Sequence, residues 1–470
     1  MRASRLAVVA GTGALLVATV AGAQVLERPE REGDPGVYAR RPRTDVTRPR
    51  SDLVAEVSAL GGYGDDLLTR GSASIDPAAL GYVYSGVASG QLRFSRASQS
   101  RSFLLGGGGF AEANERRGNM FGGGLDVQGA QTFGRRDRLN ASANVNYVPY
   151  QGLGSARSDA SGVGASTSGA LNPTYGSVAN GSLNVVAGTN YNRGWSPSDR
   201  SEAGYSFAQN SQSEGYRTYI HTGYVQQVHR VARPTEIGAS YRYGQSSVLF
   251  AGVDVPMTQQ TIEGLFTYRR QLSRTRTIAV SGGAGVSQLN SLDPRLQTEF
   301  TARTPSASAT VNLDLVRSWS VRADYRRGFG LLPGVSNQAF ASHAAFFNVG
   351  GLLARRVDLA ITGNLSQGRT ETADASSGSQ QQVMLTTQLR VALSERSAFL
   401  ASYSHYHYAV RGLIDLAPGV PTEFNRHSVR VGVSLRMPLR SPRGESRRTR
   451  PAQPPVTPPE ESEPEDREPR

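Results

Sequence analysis

The chain has 470 residues, a formal net charge of +13 at pH 7, 53 glycines and no cysteine, and its mean hydropathy is −0.38. The missing cysteine excludes a disulfide framework, zinc–thiolate sites, a thiol nucleophile and lipid attachment at an N-terminal cysteine. A soluble protein of this length would show apolar core elements, whereas this one is polar on average and regularly patterned, which implies a single apolar face throughout.

Arg2 and Arg5 open the chain, Leu6 to Val20 are apolar, and Ala21-Gly22-Ala23 forms a small-x-small pattern. This layout predicts a secretory signal peptide over 1–23, since the apolar run is short for a membrane-spanning helix. Residues 24–50 are charged and proline-punctuated without periodicity and read as a disordered leader.

From 51 to 439 the sequence alternates with period two, the mark of β-strands with one apolar face. In "RLNASANVNY" (138–147), Leu139, Ala141, Ala143, Val145 and Tyr147 oppose Asn140, Ser142, Asn144 and Asn146. "SASATVNLDL" (306–315), "QVMLTTQLRVAL" (382–393) and "SVRVGVSLRMPL" (428–439) repeat the pattern. Connections alternate between short arginine-bearing turns, such as "GRRD" at 134 and "SRTR" at 273, and longer Gly-, Ser- or Pro-rich loops, the longest at about 152–179. Counting along this rhythm gives 18 strands, with 16 or 20 as the alternatives. Residues 440–470 form a Pro-rich tail, basic and then acidic, that reads as extended and solvated.

Strands of 10–14 residues are long for a soluble sandwich and long enough to cross a membrane at a tilt. A sheet of about 18 strands must also close, because an open edge is unsatisfied in hydrocarbon and aggregates in water. The expected fold is therefore an all-β, transmembrane, antiparallel up-and-down barrel. Its apolar face meets lipid, and its Ser/Asn/Gln/Arg face lines a wet interior. Tyr63, Phe94, Tyr147, Tyr150, Tyr191, Tyr268 and Tyr325 are candidates for the interfacial girdles. An even strand count puts both termini on the periplasmic side.

Two glycine runs, Gly106–Gly109 and Gly122–Gly124, lie in "LLGGGGFAEANERRGNMFGGG". No helix signal follows either run, so a phosphate-cradling loop lacks its helix dipole. A hairpin centred on Glu115 sets Gly106–Gly109 against Phe121–Gly124. Glycine there thins the wall, allowing sharp curvature or close approach of a bulky neighbour or, in a functional variant, widening the lumen for a polymer.

The opening "LVAEVSALGGYGDD" (53–66) and the closing "HSVRVGVSLRMPL" (427–439) resemble Gram-negative outer-membrane β-barrels, and among them the barrel-porin group found with exopolysaccharide synthesis and export machinery. The resemblance implies an outer-membrane location, insertion by the barrel-assembly machinery and periplasmic polysaccharide-export proteins as partners. Many such barrels end on an aromatic residue, whereas this last strand ends at Leu439 with a tail beyond. An internal assembly signal within 428–439 is implied.

No catalytic constellation stands out, and no enzyme activity, cofactor or nucleic-acid partner is expected. His405 and His407 share one strand face but lack a carboxylate pattern, so a girdle or loop-proximal role outweighs metal binding. Periodicity points Arg322, Arg326, Arg390, Arg430 and Arg436 inward, with Asp314, Asp324, Glu263 and Gln388, as pore-lining candidates. Inward arginines would concentrate anions or fork onto carboxylates; pairing with lumenal acids to stiffen the wall is the equal alternative. Three functions fit: export of a polar polymer such as an exopolysaccharide, general diffusion of small solutes, or a structural or adhesive role through the loops.

Overall fold

The computed structural model describes residues 50–440 apart from 67–80, 99, 116–117, 135, 149–150, 153–175, 179–180, 213–216, 251–252, 274–275, 294–297, 316–317, 332–338, 371–377 and 413–421. The proposed signal peptide, most of the leader, nearly all of the tail and Tyr150 lie outside the described residues, as does most of the loop at 152–179.

Twenty strands follow one another, and the described residues contain no helix. The first five are β1 (Arg50–Asp66), β2 (Gly81–Ala97), β3 (Arg101–Asn114), β4 (Gly118–Phe133) and β5 (Asp137–Val148). A short pair, β6 (Gln151–Gly152) and β7 (Gly176–Val178), forms its own ladder within the longest connection. Next come β8 (Ser182–Gly194), β9 (Asp199–Gln212), β10 (Arg217–Ala232), β11 (Thr235–Phe250), β12 (Val253–Ser273), β13 (Arg276–Asp293) and β14 (Thr298–Asp314). The chain closes with β15 (Ser320–Leu331), β16 (Ala339–Ala354), β17 (Val357–Thr370), β18 (Ser379–Ala392), β19 (Ser397–Arg411) and β20 (Glu423–Arg440).

All strands except β6 and β7 form one 18-stranded antiparallel sheet, in which each strand pairs with its neighbours in the chain. It closes because β1 pairs both with β2 and with β20. The strand number matches that counted in the sequence. Arg50 stands opposite Ala97, at the end of β2 that leads into the short 98–100 turn. Leu53 stands opposite Arg440, so both ends of the described chain lie at the short-turn end. The longer connections, 67–80, 149–181 and 412–422 among them, all lie at the other end.

Antiparallel partners point to the same side, so the register propagates one face around the whole barrel. Val57 stands opposite Leu435, and Ser58 opposite both Ser89 and Ser434. Val57, Leu435, Val429, Val431, Val433 and Met437 are exposed, whereas Ser58, Ser89 and Ser434 are buried. An oily outside and a polar inside is the inverse of a soluble protein and requires lipid around the barrel. The exposed girdle candidates Tyr63, Tyr147, Tyr191 and Tyr325 all share this outer face.

The interior departs from a uniformly polar face in two places. Val248, Val255, Met257 and Leu289 form a buried inward cluster toward the long-loop end, and Val87 and Phe110 form another with Leu60 and Met120. The second cluster explains the glycine runs. The two runs face one another as expected, but Gly108 stands opposite Gly124, and Gly106 opposite Asp126. This pairing is shifted by two residues from a hairpin centred on Glu115. A two-residue shift preserves the faces and sets Phe110 opposite Gly122 instead of Met120. A Cβ on Gly122 would collide with the Phe110 ring and the Tyr147 carbonyl. The thinned wall at Gly122 is therefore filled by an aromatic ring and does not widen the lumen. Gly122→Ala should destabilise the barrel by about 1–3 kcal/mol through overpacking. Adding Phe110→Leu should recover part of the loss in urea unfolding; equal stability of Gly122→Ala and the parent chain would contradict this packing.

Candidate functional site

The inward face is a hydrogen-bonding surface before it is a charged one. Thr261 Oγ1 and Ser287 Oγ stand 2.9 Å apart, Asn348 Nδ2 donates to Thr362 Oγ1 at 3.1 Å, and Ser58 bonds Ser89. One ladder runs across four strands: Asn140 Nδ2 donates to Asn190 Oδ1 at 2.7 Å, and Asn190 Nδ2 donates to Glu202 Oε1 at 3.0 Å. Tyr224 donates to the same Glu202 oxygen at 2.6 Å. Its ring reaches there because its direct partner is Gly204, where a Cβ would collide with the ring.

Charges are set into this surface in pairs. Arg322 forks onto Asp324, Nε to Oδ2 at 2.8 Å and Nη2 to Oδ1 at 3.2 Å, and Thr310 also donates to Asp324 at 2.8 Å. Arg390 stands opposite Asp358 and comes within 3.9 Å of Glu56, which itself stands opposite Arg436. Arg430 lies 3.7 Å from Glu112, with both side chains almost wholly buried. Glu263 shares the inward face with Arg242, one step away along the β11–β12 ladder. Arg93 and Asp126 flank Gly106 on that face.

Two of these pairs span the closure of the barrel. Arg390 on β18 reaches Glu56 on β1, and Arg430 on β20 reaches Glu112 on β3, each across two intervening strands. Glycine makes the second reach feasible. Gly62 stands opposite Arg430, and a Cβ there would crowd the Arg430 side chain, which lies across it. Arg430 is thereby laid against the wall instead of projecting into the lumen.

The register places Arg322, Arg326, Arg390, Arg430, Arg436, Asp314, Asp324, Glu263 and Gln388 on the inward face. Arg326 stands between Ser308 and Ala344, and Gln388 between Ala360 and Ser402. Asp314 is at the short-turn end of β14, opposite Thr277 and Ser320. Glu263 stands between Ser240 and Gly285. Sequence reasoning missed the acids Glu56, Glu112 and Glu202 and the basic residues Arg93 and Arg242. For Glu56 the signal was present, because Leu53, Ala55, Val57 and Ala59 define the opposite face. For Glu112 it was absent, because its neighbours Ala111 and Ala113 favour neither side. His405 and His407 point outward with His427 opposite His405, and no metal-competent cluster occurs among the described residues.

No protein-family model matches the chain. No curated protein matches it either. Solved structures do. OccK2 (OpdF) of Pseudomonas aeruginosa in complex with glucuronate is 9% identical over 83% of this chain and 98% of that one, with a TM-score of 0.41. OccAB3 of Acinetobacter baumannii is 12% identical over 82% of this chain and 100% of that one, at 0.36. The ferric citrate transporter FecA in the unliganded form is 12% identical over 80% of this chain, at 0.38, and this chain spans 63% of its length.

Proposed function

We propose that this chain is an outer-membrane channel conducting a polar, hydroxyl-rich solute, and that the solute is an exopolysaccharide on its way out of the cell. The observation that supports the reading is the inward face itself. It carries Ser, Thr, Asn and Gln in cross-strand hydrogen bonds, and its arginines stand beside acids. Barrels of 16–18 strands leave room for an aqueous channel. A lining with compensated charge and many donors and acceptors suits neutral hydroxyls better than anions, which an excess of lumenal arginine would attract. The Arg322, Arg326, Arg390 and Arg436 side chains then act as hydrogen-bond donors along the passage, while Arg430, laid against the wall on Glu112, braces it. Asp314, Asp324, Glu263 and Gln388 supply acceptors.

General diffusion of small solutes is the competing reading, favoured by the same neutral lining. Two measurements separate them. Deleting the gene should abolish surface polysaccharide while synthesis continues inside the cell. Unchanged surface polymer together with ohmic conductance in a planar bilayer would replace export by diffusion. A barrel that never conducts would reject both in favour of a structural role.

A further inference from the structure

All six histidines of the chain lie on the outer, lipid-facing side of the barrel, and three of them repeat one motif. Tyr205 and His221 (Oη to Nδ1, 2.7 Å), Tyr325 and His343 (2.8 Å), and Tyr403 and His427 (2.9 Å) are bonded pairs on adjacent strands. In each pair the ring centroids stand 6.2 Å apart. The register makes each a diagonal pair: Tyr205 is opposite Gly223, Tyr325 opposite Ala345, and Tyr403 opposite Val429.

The pairs of β15–β16 and β19–β20 mark the level at which the oily surface ends; on β10 the outward run below His221 also carries Gln227 and His229. Going up β20 from the short-turn end, the outward residues are Leu439, Met437, Leu435, Val433, Val431 and Val429, and then His427 and Asn425. On β16 the run is Leu353, Gly351, Val349, Phe347 and Ala345, and then His343. On β19 it is Phe399, Ala401 and Tyr403, and then His405 and His407. His405 stacks on His427 with centroids 4.5 Å apart, and His407 Nδ1 lies 2.6 Å from Asn425 Oδ1. Arginines share the rim: Arg327 stands directly opposite His343, Arg217 is four residues beyond His221, and Arg411 four beyond His407, all on the outer face. The outward acids Asp254, Glu299 and Glu423 stand at the same strand ends, Glu423 four residues beyond His427 just as Arg411 is four beyond His407.

We infer that this Tyr–His rim is a docking belt for the phosphoryl headgroups of an outer-leaflet glycolipid. Tyrosine fixes each imidazole through Nδ1, which turns Nε2 of the exposed His221 and His343 toward whatever lies beside the barrel. Imidazole and guanidinium together supply the donors that a phosphate accepts. Tyrosine rings suit the boundary between acyl chains and headgroups. The belt lies at the end away from Arg50 and Arg440, which is the outer leaflet under the location proposed above.

The test uses the full chain refolded in detergent, with diphosphorylated lipid A and its enzymatically dephosphorylated form as probes and native mass spectrometry as the readout. The parent barrel should retain the phosphorylated lipid preferentially. The triple variant His221→Gln, His343→Gln and His427→Gln should lose that retention about ten-fold, as expected for lost donors to a charged group. Arg327→Gln should weaken it separately. Heat-modifiability on gels establishes that each variant is folded, and Tyr205→Phe provides a milder change at the same level. Equal retention of the two lipids by the parent barrel, or undiminished retention by the folded triple variant, would overturn the inference. A barrel that binds the phosphorylated lipid but never conducts would sink the channel reading and leave the belt standing.

Discussion

Replacing Arg430 with methionine should destabilise the barrel by about 3–5 kcal/mol, the range for removing one partner of a buried ion pair. Its guanidinium lies 3.7 Å from the Glu112 carboxylate, and the two side chains retain 9% and 4% of their exposure. Taking the arginine away leaves a carboxylate with little water, and Arg426 of the same strand as the cation that still acts on it. That residue brings the expected loss toward the lower end of the range. Adding Glu112→Gln should restore most of the stability, because a buried pair removed whole costs far less than one broken. Urea unfolding in detergent micelles, followed through the fluorescence of Trp195 and Trp319, reads both variants. A single variant as stable as the parent, or a double variant no better than the single, would show that the pair does not hold β20 to β3 across the closure. The expectation matters because closing the sheet is what leaves the barrel without an edge. Arg390 and Glu56 span the same junction a few residues nearer the turns, so Glu56→Gln should show the same sign with a smaller effect, both side chains being more exposed.

The architecture was legible wherever side chains alternate strongly between the faces. Val429, Val431, Val433 and Leu435 against Arg430, Gly432 and Ser434 leave a single reading, and the strand number follows from counting such runs between turns. Alternation fades where alanine and glycine dominate. In "GGGGFAEAN" the inward residues are Phe110 and Glu112, but Ala111 and Ala113 between them give no contrast. Alternation therefore does not mark Glu112 as inward, and a hairpin centred on Glu115 lies two residues from the observed register. The inward Arg93 and Arg242 could not be named individually, whereas Arg322, Arg326, Arg390, Arg430 and Arg436 could, since each sits in a strand with a clear apolar face. Their partners could not, because Arg430 meets Glu112 three strands away and 318 positions earlier in the chain, a contact fixed only by the register at closure. The Tyr–His belt was hidden for the same reason. "SHYHY" placed His405 and His407 on one face, but the diagonal bond from Tyr403 to His427 depends on how β19 slides against β20. The inward apolar clusters were hidden differently: Val248, Val255 and Met257 look like any other apolar strand residues until the register assigns their side.

Placing an arginine at Val431 tests the assignment of the faces on which all of this depends. Val431 is exposed on the outer face, between Val429 and Val433, and stands opposite Gly61 on β1 and Ala401 on β19. A charge there must sit in hydrocarbon or bend toward an interface, at a cost of about 2–4 kcal/mol near the bilayer midplane. The same substitution at Gln388 faces the lumen beside Ser402 and Ala360, where water solvates it, and should change stability by less than about 1 kcal/mol. Its effect should appear instead as a shift of reversal potential toward anion selectivity in a bilayer with a salt gradient. Folding titrations into thin phosphatidylcholine vesicles measure the first variant and single-channel recording the second. If Val431→Arg were tolerated and Gln388→Arg were not, the two faces would be exchanged, the arginine–acid pairs would lie in lipid, and no polar path would run through the barrel. The register makes this comparison stringent, because Val431 and Arg430 are consecutive residues whose side chains point to opposite solvents.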